Sequence, residues 1–371
     1  MRRLLFTLWL SVVFSTAFAA TNPPDSLYVE PWPEADALFH QDPRWMGGDD
    51  AHSVDLGKGR VLWLFGDSFV ANQVPATRRG ATMVRNSVAI QQGYNPTKAS
   101  IRFYWRTQQQ TDHDSLSSFF PEVDSTWFWP GHGVRLENTL LIFLMKVKRV
   151  NRDLGFEVVG WEVVAIDNPD DDPPAWKLRW LNAPQNSFGV IAGSASVLSV
   201  ENYLYAFSVQ EPGNHDVFLV RWPMQKAAKG DLSAPFWWLG EASGWVAQAE
   251  MTQKPTVVFG GGQTEFTVHY AARAKHWQQV QTEGFGIAYI AMREANKLTG
   301  PWSGLRKFYR PTDIKAKDAF MYAGKAHPEL QGAEGIFTYV VNSFDFQVLL
   351  DDPSLYYPRF LKTRSVPRTK K

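Results

Sequence analysis

The chain contains no cysteine, so a disulfide framework, a lipoprotein anchor, a thiolate nucleophile and thiolate metal ligation are all excluded. It has almost no net charge either. Thirty-eight basic residues face 37 acidic ones, for a formal charge of +1, which leaves no field for nucleic acid or an anionic membrane surface. Long apolar runs are missing as well. The longest, Leu4 to Phe14, is too short for a bilayer and lies between Met1-Arg2-Arg3 and Ala17-Phe18-Ala19. That order of basic, apolar and small residues is an export signal, so residues 1–19 are expected to be cleaved, leaving a periplasmic or secreted protein without a membrane span. Extended helical periodicity, a Gly-x-Ser-x-Gly elbow, a His-Glu-x-x-His pair and a phosphate-cradling loop are absent too.

What is present is a succession of short β-rich runs separated by Gly, Pro, Asn and Asp. The organising stretch runs from Gly47 to Asp67. A polar strand bearing Asp49 and Asp50 turns at Gly57-Lys58-Gly59 and returns as the apolar strand Val61 to Phe65, closed by Gly66-Asp67. The same plan, small or polar residues, then a hairpin, then an apolar strand, recurs from about residues 130, 193, 263 and 325. Five such units predict an all-β fold, a five-bladed β-propeller over residues 20–362, followed by a basic tail over 363–371. Trp-Asp repeat endings and the Ser-x-Asp-x-Gly-x-x-Trp box are absent, which removes two propeller classes.

Several segments carry a resemblance. They are Asp50-x-x-Ser53-Val54 through Leu62-Trp63-Leu64-Phe65-Gly66-Asp67, Arg85-Asn86-Ser87, Leu298-Thr299-Gly300-Pro301-Trp302, and Lys325-Ala326-His327-Pro328-Glu329-Leu330 with Asn342-Ser343. Together they resemble the exported bacterial five-bladed propellers catalogued as domain of unknown function 4185, some of which are endo-D-arabinofuranases. More distantly they are similar to the arabinanase and xylosidase propellers. The resemblance covers about residues 40 to 350. It implies a glycoside hydrolase acting on a furanose-containing or cell-envelope polysaccharide. The competing expectation is a non-catalytic carbohydrate-binding or envelope-assembly propeller.

A propeller gathers the first strands of its blades around the central channel, so site residues are sought at the unit starts. Hydrolysis of a glycosidic bond needs two carboxylates flanking it. Asp50 is the first choice, because the resemblance puts an acid three residues before Ser53-Val54. Asp67 and Glu265 are the other catalytic candidates. Gly-Asp at a strand end also reads as a turn cap, and Glu265 also reads as part of a solvated strand face. Asp49 is a candidate for binding sugar, since a slip of one residue would exchange it with Asp50. Arg85, Asn86, Trp129, His132, His327 and Glu329 complete the expected substrate-binding set, with a satisfied core histidine the rival reading of His327. Trp45, Trp105 and Trp127 are further stacking candidates beside the core role that most tryptophans serve. No cofactor is expected. Asp170, Asp171 and Asp172 have the oxygen density of a calcium site but read better as an exposed turn.

Overall fold

Lys58 and Gly59 have positive φ, 55° and 79°. A two-residue turn between twisted antiparallel strands requires this, and here it joins Trp45–Gly57 to Arg60–Val70. Val61 through Phe65 are fully buried, as an apolar run covered on both faces should be. With Ser87–Gln92 and Ser100–Tyr104 these strands form the first of five blade sheets, to which the short strand Thr82–Val84 adds on Arg60–Val70, while Arg106–Gln109 and Asp114–Ser117 pair as a separate two-stranded sheet. In this computed structural model residues 27–109, 114–151 and 155–364 are described. The expected export signal, and all but the first residues of the expected basic tail, lie outside the described residues.

The second sheet runs through Thr126–Leu136, Thr139–Arg149, Phe156–Ile166 and Leu178–Leu181 in sequence order. The third runs through Val190–Val200, Tyr203–Gln210, Val217–Pro223, Phe236–Trp238 and Trp245–Ala247. The fourth consists of Thr267–Ala271, His276–Glu283, Tyr289–Ala295 and Arg306–Tyr309. The fifth takes Ala319–Ala326, Ile336–Ser343 and Arg359–Thr363, and its outermost strand is Val29–Pro31 from the start of the chain. The first strand of each sheet touches the first strand of the next, and the fifth touches the first. The circle closes: the fold is the expected five-bladed β-propeller, sealed by a strand from the opposite end of the sequence.

Apolar side chains fill the wedges between blades. Val54, Leu62, Leu64 and Val88 of blade one meet Phe128, Leu140, Ile142 and Leu144 of blade two. Phe143 and Trp161 of blade two pack against Val197, Phe218 and Trp222 of blade three. The axis is built differently. Four of the inner strands lose register near their starts: around Gly48 to His52, between Ile142 and Leu144 opposite Pro130 to Gly133, between Ile191 and Ser196, and between Tyr322 and Lys325. Such bulges re-aim side chains, and here they turn polar residues from the sheet face toward the axis. At the third, Gly193 holds φ at 70°, and a Cβ there would lie 2.4 Å from the Phe143 ring. Only glycine lets blades two and three approach this closely.

Candidate active site

The bulge in blade one decides which of two adjacent acids opens to the channel. Asp50 and Ala51 both have positive φ, 69° and 60°, and the doubled step turns the neighbouring acid side chains in different directions. Asp50 points into the protein and is only 3% exposed. Its Oδ1 lies 2.9 Å from the fully buried Lys325 ammonium and 3.3 Å from His52 Nε2. Lys325 also donates to the backbone carbonyl of Asp50 at 2.5 Å. Burial pushes Asp50 up to about 8 against the pull of Lys325, with the nearby Glu265 charge adding to the rise. The first-choice catalytic acid is thus the buried counter-ion of a lysine. The sequence pattern does not distinguish it from its neighbour, because a one-residue change of register exchanges the two faces.

Asp49 is the member of the pair that remains partly open. Its Oδ2 accepts from the Tyr322 hydroxyl at 2.9 Å and the Tyr356 hydroxyl at 3.0 Å. Its Oδ1 lies against Gly66, where a Cβ would come within 2.5 Å. Asp67, the next residue, accepts from Trp129 Nε1 at 3.0 Å and pairs with Arg85 at 3.1 Å. The Arg85 guanidinium in turn lies 4.7 Å over the Trp127 ring. Glu265 comes in from blade four. It precedes the strand Thr267–Ala271 rather than standing within it, and it makes no hydrogen bond or ion pair among the described residues. It is half-buried, so its carboxyl is reachable.

These three carboxylates form one electrostatic group. Burial is the main cause holding all three above the usual carboxylate range. Repulsion from Asp67 and Glu265 adds to the rise of Asp49, while Tyr322 opposes it. Arg85 and Trp129 oppose the rise of Asp67, and Lys325 that of Glu265. Clustered carboxylates cannot all ionise together, so protons go to the members with the fewest donors. Asp49 and Asp67 each accept two hydrogen bonds or ion-pair contacts, and Glu265 accepts none. By donor count the proton goes to Glu265, while burial and repulsion from its acidic neighbours lift Asp49 further above the usual range.

Tyr356 is positioned from outside the site. Arg78, itself buried, donates to the carbonyls of Met46, Leu349 and Asp352 at 2.8–2.9 Å and to that of Leu355. It thereby ties the end of blade five to the start of blade one and presents Tyr356 to Asp49. Neither Arg78, Tyr322, Tyr356 nor Lys325 was among the expected site residues. A signal existed for Lys325, which stands two residues before His327 and so on the same face of a strand.

Below the acids the axis is plugged. His132 Nδ1 accepts from the Val197 amide at 2.9 Å, and its Nε2 donates to the Ser53 carbonyl at 3.1 Å. One neutral imidazole therefore links blades one, two and three. His327 lies between Ser53 Oγ at 2.5 Å and Thr338 Oγ1 at 2.7 Å. Burial holds His132 down to about 4 and keeps His52 and His327 well below the usual imidazole range, with Lys325 depressing all three further.

Several expected sugar contacts are corrected by this geometry. Both ring nitrogens of His132 and of His327 are engaged within the protein. Asn86 is fully buried, its amide spent on Phe120 N, Phe120 O and Phe128 O. Glu329 sits beyond the plug beside Ser53 and Asp55, where burial pushes it up to about 7. Trp45 is core, bonded to Ser87, and Trp105 lies under Arg44. Arg85, Trp129, Asp49, Asp67 and Glu265 are the candidates that the fold does bring together. Asp170 pairs with Lys58, Arg60 and Arg135, so the acidic loop clasps blade two to blade one. No metal-ligand cluster occurs among the described residues.

Comparison with known proteins agrees with the architecture. Residues 34–365 match the family described as "Domain of unknown function (DUF5005)", so the chain belongs to that family. No curated protein matches its sequence. Among solved structures it is similar to a "putative hydrolase" from Bacteroides ovatus, at 15% identity and a TM-score of 0.68 over 90% of this chain and 89% of that one. It is also similar to the α-L-arabinofuranosidase catalytic domain of Coprinopsis cinerea, at 10% identity and 0.49 over 92% and 98%. The α-L-arabinofuranosidase of Podospora anserina gives 9% and 0.48 over the same shares. At such identities the likeness is one of fold.

Proposed function

We propose that this DUF5005 propeller is a glycoside hydrolase whose working carboxylates are Asp49 and Glu265. The observation that carries the reading is Glu265: a partly desolvated carboxyl with no hydrogen bond among the described residues, whose charge acts on Asp49, an acid that two tyrosines hold in place. A general acid must keep its proton at the working pH and give it to the leaving oxygen, and an unpartnered, desolvated carboxyl does so. Asp49 offers Oδ1 free of donors while its two tyrosines fix the other oxygen, which suits a base for water or a nucleophile. Asp67, Arg85 and Trp129 supply an ion pair and an aromatic edge for orienting sugar hydroxyls. Asp50 and Lys325 stand behind, as a buried contact pair beneath the acids.

The substrate side of the proposal comes from the resemblance to the endo-D-arabinofuranase-like propellers, which favours a furanose-containing or cell-envelope polysaccharide. The fold relative from Bacteroides ovatus is titled a "putative hydrolase", which names no substrate. The test is incubation with arabinans, xylans, galactans and envelope glycans. Wild type is expected to release reducing ends from at least one, and Glu265→Gln to lose about 10²–10⁴ in rate. Binding of a glycan by wild type without any cleavage would favour the non-catalytic alternative.

A further inference from the structure

Four aromatic rings from blades four and five form a staircase on the face of the propeller where the acids open. Phe285 stands in the connection between His276–Glu283 and Tyr289–Ala295, and Phe344 directly follows Ile336–Ser343. Phe320 and Tyr322 lie near the start of the inner strand Ala319–Ala326. Phe285 stacks on Phe344 at 5.8 Å and 21°, Phe344 on Phe320 at 4.1 Å and 22°, and Phe320 on Tyr322 at 5.3 Å and 25°. The last ring donates its hydroxyl to Asp49. The staircase therefore runs from open solvent to a candidate catalytic acid.

Packing does not account for it. Phe285 is 87% exposed and Phe344 55%, and neither they nor Phe320 belong to the hydrophobic core clusters. Exposed large apolar side chains gathered in one patch mark a binding surface. Polar groups border this one. Lys317 pairs with Asp318 and Asp345, and Asn342 donates to the Tyr322 hydroxyl at 3.3 Å. Apolar rings flanked by ions and an amide match a saccharide, which has an apolar ring face and a hydroxylated edge.

We infer that this staircase is an outer subsite, holding a saccharide chain whose scissile bond lies at Asp49 and Glu265. The inference rests on the glycosidase reading above, and the experiment separates the two. Arabino-, xylo- and galacto-oligosaccharides of two to six units are titrated calorimetrically into Glu265→Gln protein, with and without Phe285→Ala and Phe344→Ala. In at least one series the double alanine change is expected to weaken hexasaccharide binding about tenfold while leaving the disaccharide within about twofold. Phe285→Trp should retain the hexasaccharide affinity. Equal hexasaccharide affinities, no hexasaccharide binding in any series, or binding of phosphatidylcholine vesicles in place of sugars would each overturn the subsite. Unimpaired hydrolysis by Glu265→Gln, together with the expected length dependence, would remove the acid assignment and leave the staircase standing.

Discussion

At the scale of single residues the central contrast is between Asp49 and Asp50. Both are acids at the start of one strand, and their surroundings assign them opposite work. Asp50 meets an ammonium out of reach of solvent, whereas Asp49 meets two phenols and a partly open channel. A prediction follows from the repulsion between Asp49 and Asp67. Removing the Asp67 charge with Asp67→Asn lowers the Asp49 pKa, so Asp49 loses its proton at lower pH. With Asp49 as base, the acidic limb of the kcat/KM profile should move to lower pH in that variant, whatever happens to its height. An acidic limb that stays in place would mean that Asp49 does not set it. The amino-acid pattern brought both acids to attention but left their facing open, because Ala51, one of the two deciding left-handed residues, carries no sequence signal for that conformation.

At the scale of elements, legibility followed burial. Val61 to Phe65 and Leu140 to Leu144 are apolar throughout because neighbouring blades cover both faces, and their strands were readable from composition alone. His276–Glu283 was not. It carries Gln278, Gln279 and Gln281, and the last two are buried and bonded to each other, so a core strand looks like a polar loop. Val29–Pro31 is three residues long and pairs with Arg359–Thr363, which no local pattern can announce. The sequence around Glu265 reads as a strand face, but the regular strand begins two residues later. Freed from a pleated face, its side chain can take the unpartnered position at the axis. The close approach of blades two and three gives a second prediction. Gly193→Ala puts a Cβ against Phe143 at a positive φ, and should cost about 3 kcal/mol in denaturant unfolding. An unchanged midpoint would show that blades two and three tolerate separation.

At the scale of the whole molecule, five blades converge on a buried polar axis, and its protonation links stability to pH. His52, His132, His269 and His327 are all held below the usual imidazole range, chiefly by burial. A histidine depressed in the folded state refuses a proton that the unfolded chain accepts. Its stabilisation is complete above about pH 6.5 and is lost as pH falls toward the folded value. For His132 the window runs from 6.5 down to about 4 and corresponds to about 3 kcal/mol. The raised carboxylates, Asp50 and Glu329 among them, act in the opposite sense over the same window, so the test is a difference: from pH 6.5 to 4 the melting temperature of wild type should fall further, or rise less, than that of His132→Asn. An identical pH dependence of the two midpoints between 6.5 and 4 would contradict the neutral-histidine plug.

The division of labour at the mouth of the axis can be measured directly. The kcat/KM of wild type, Asp49→Asn and Glu265→Gln is compared on the cleaved glycan and on the 4-nitrophenyl glycoside of the sugar it releases. A nitrophenolate leaves without protonation, so Glu265→Gln should lose far more activity on the glycan than on the nitrophenyl substrate. Asp49→Asn should lose both alike. Equal losses on the two substrates for Glu265→Gln, or full activity in Asp49→Asn, would contradict the account.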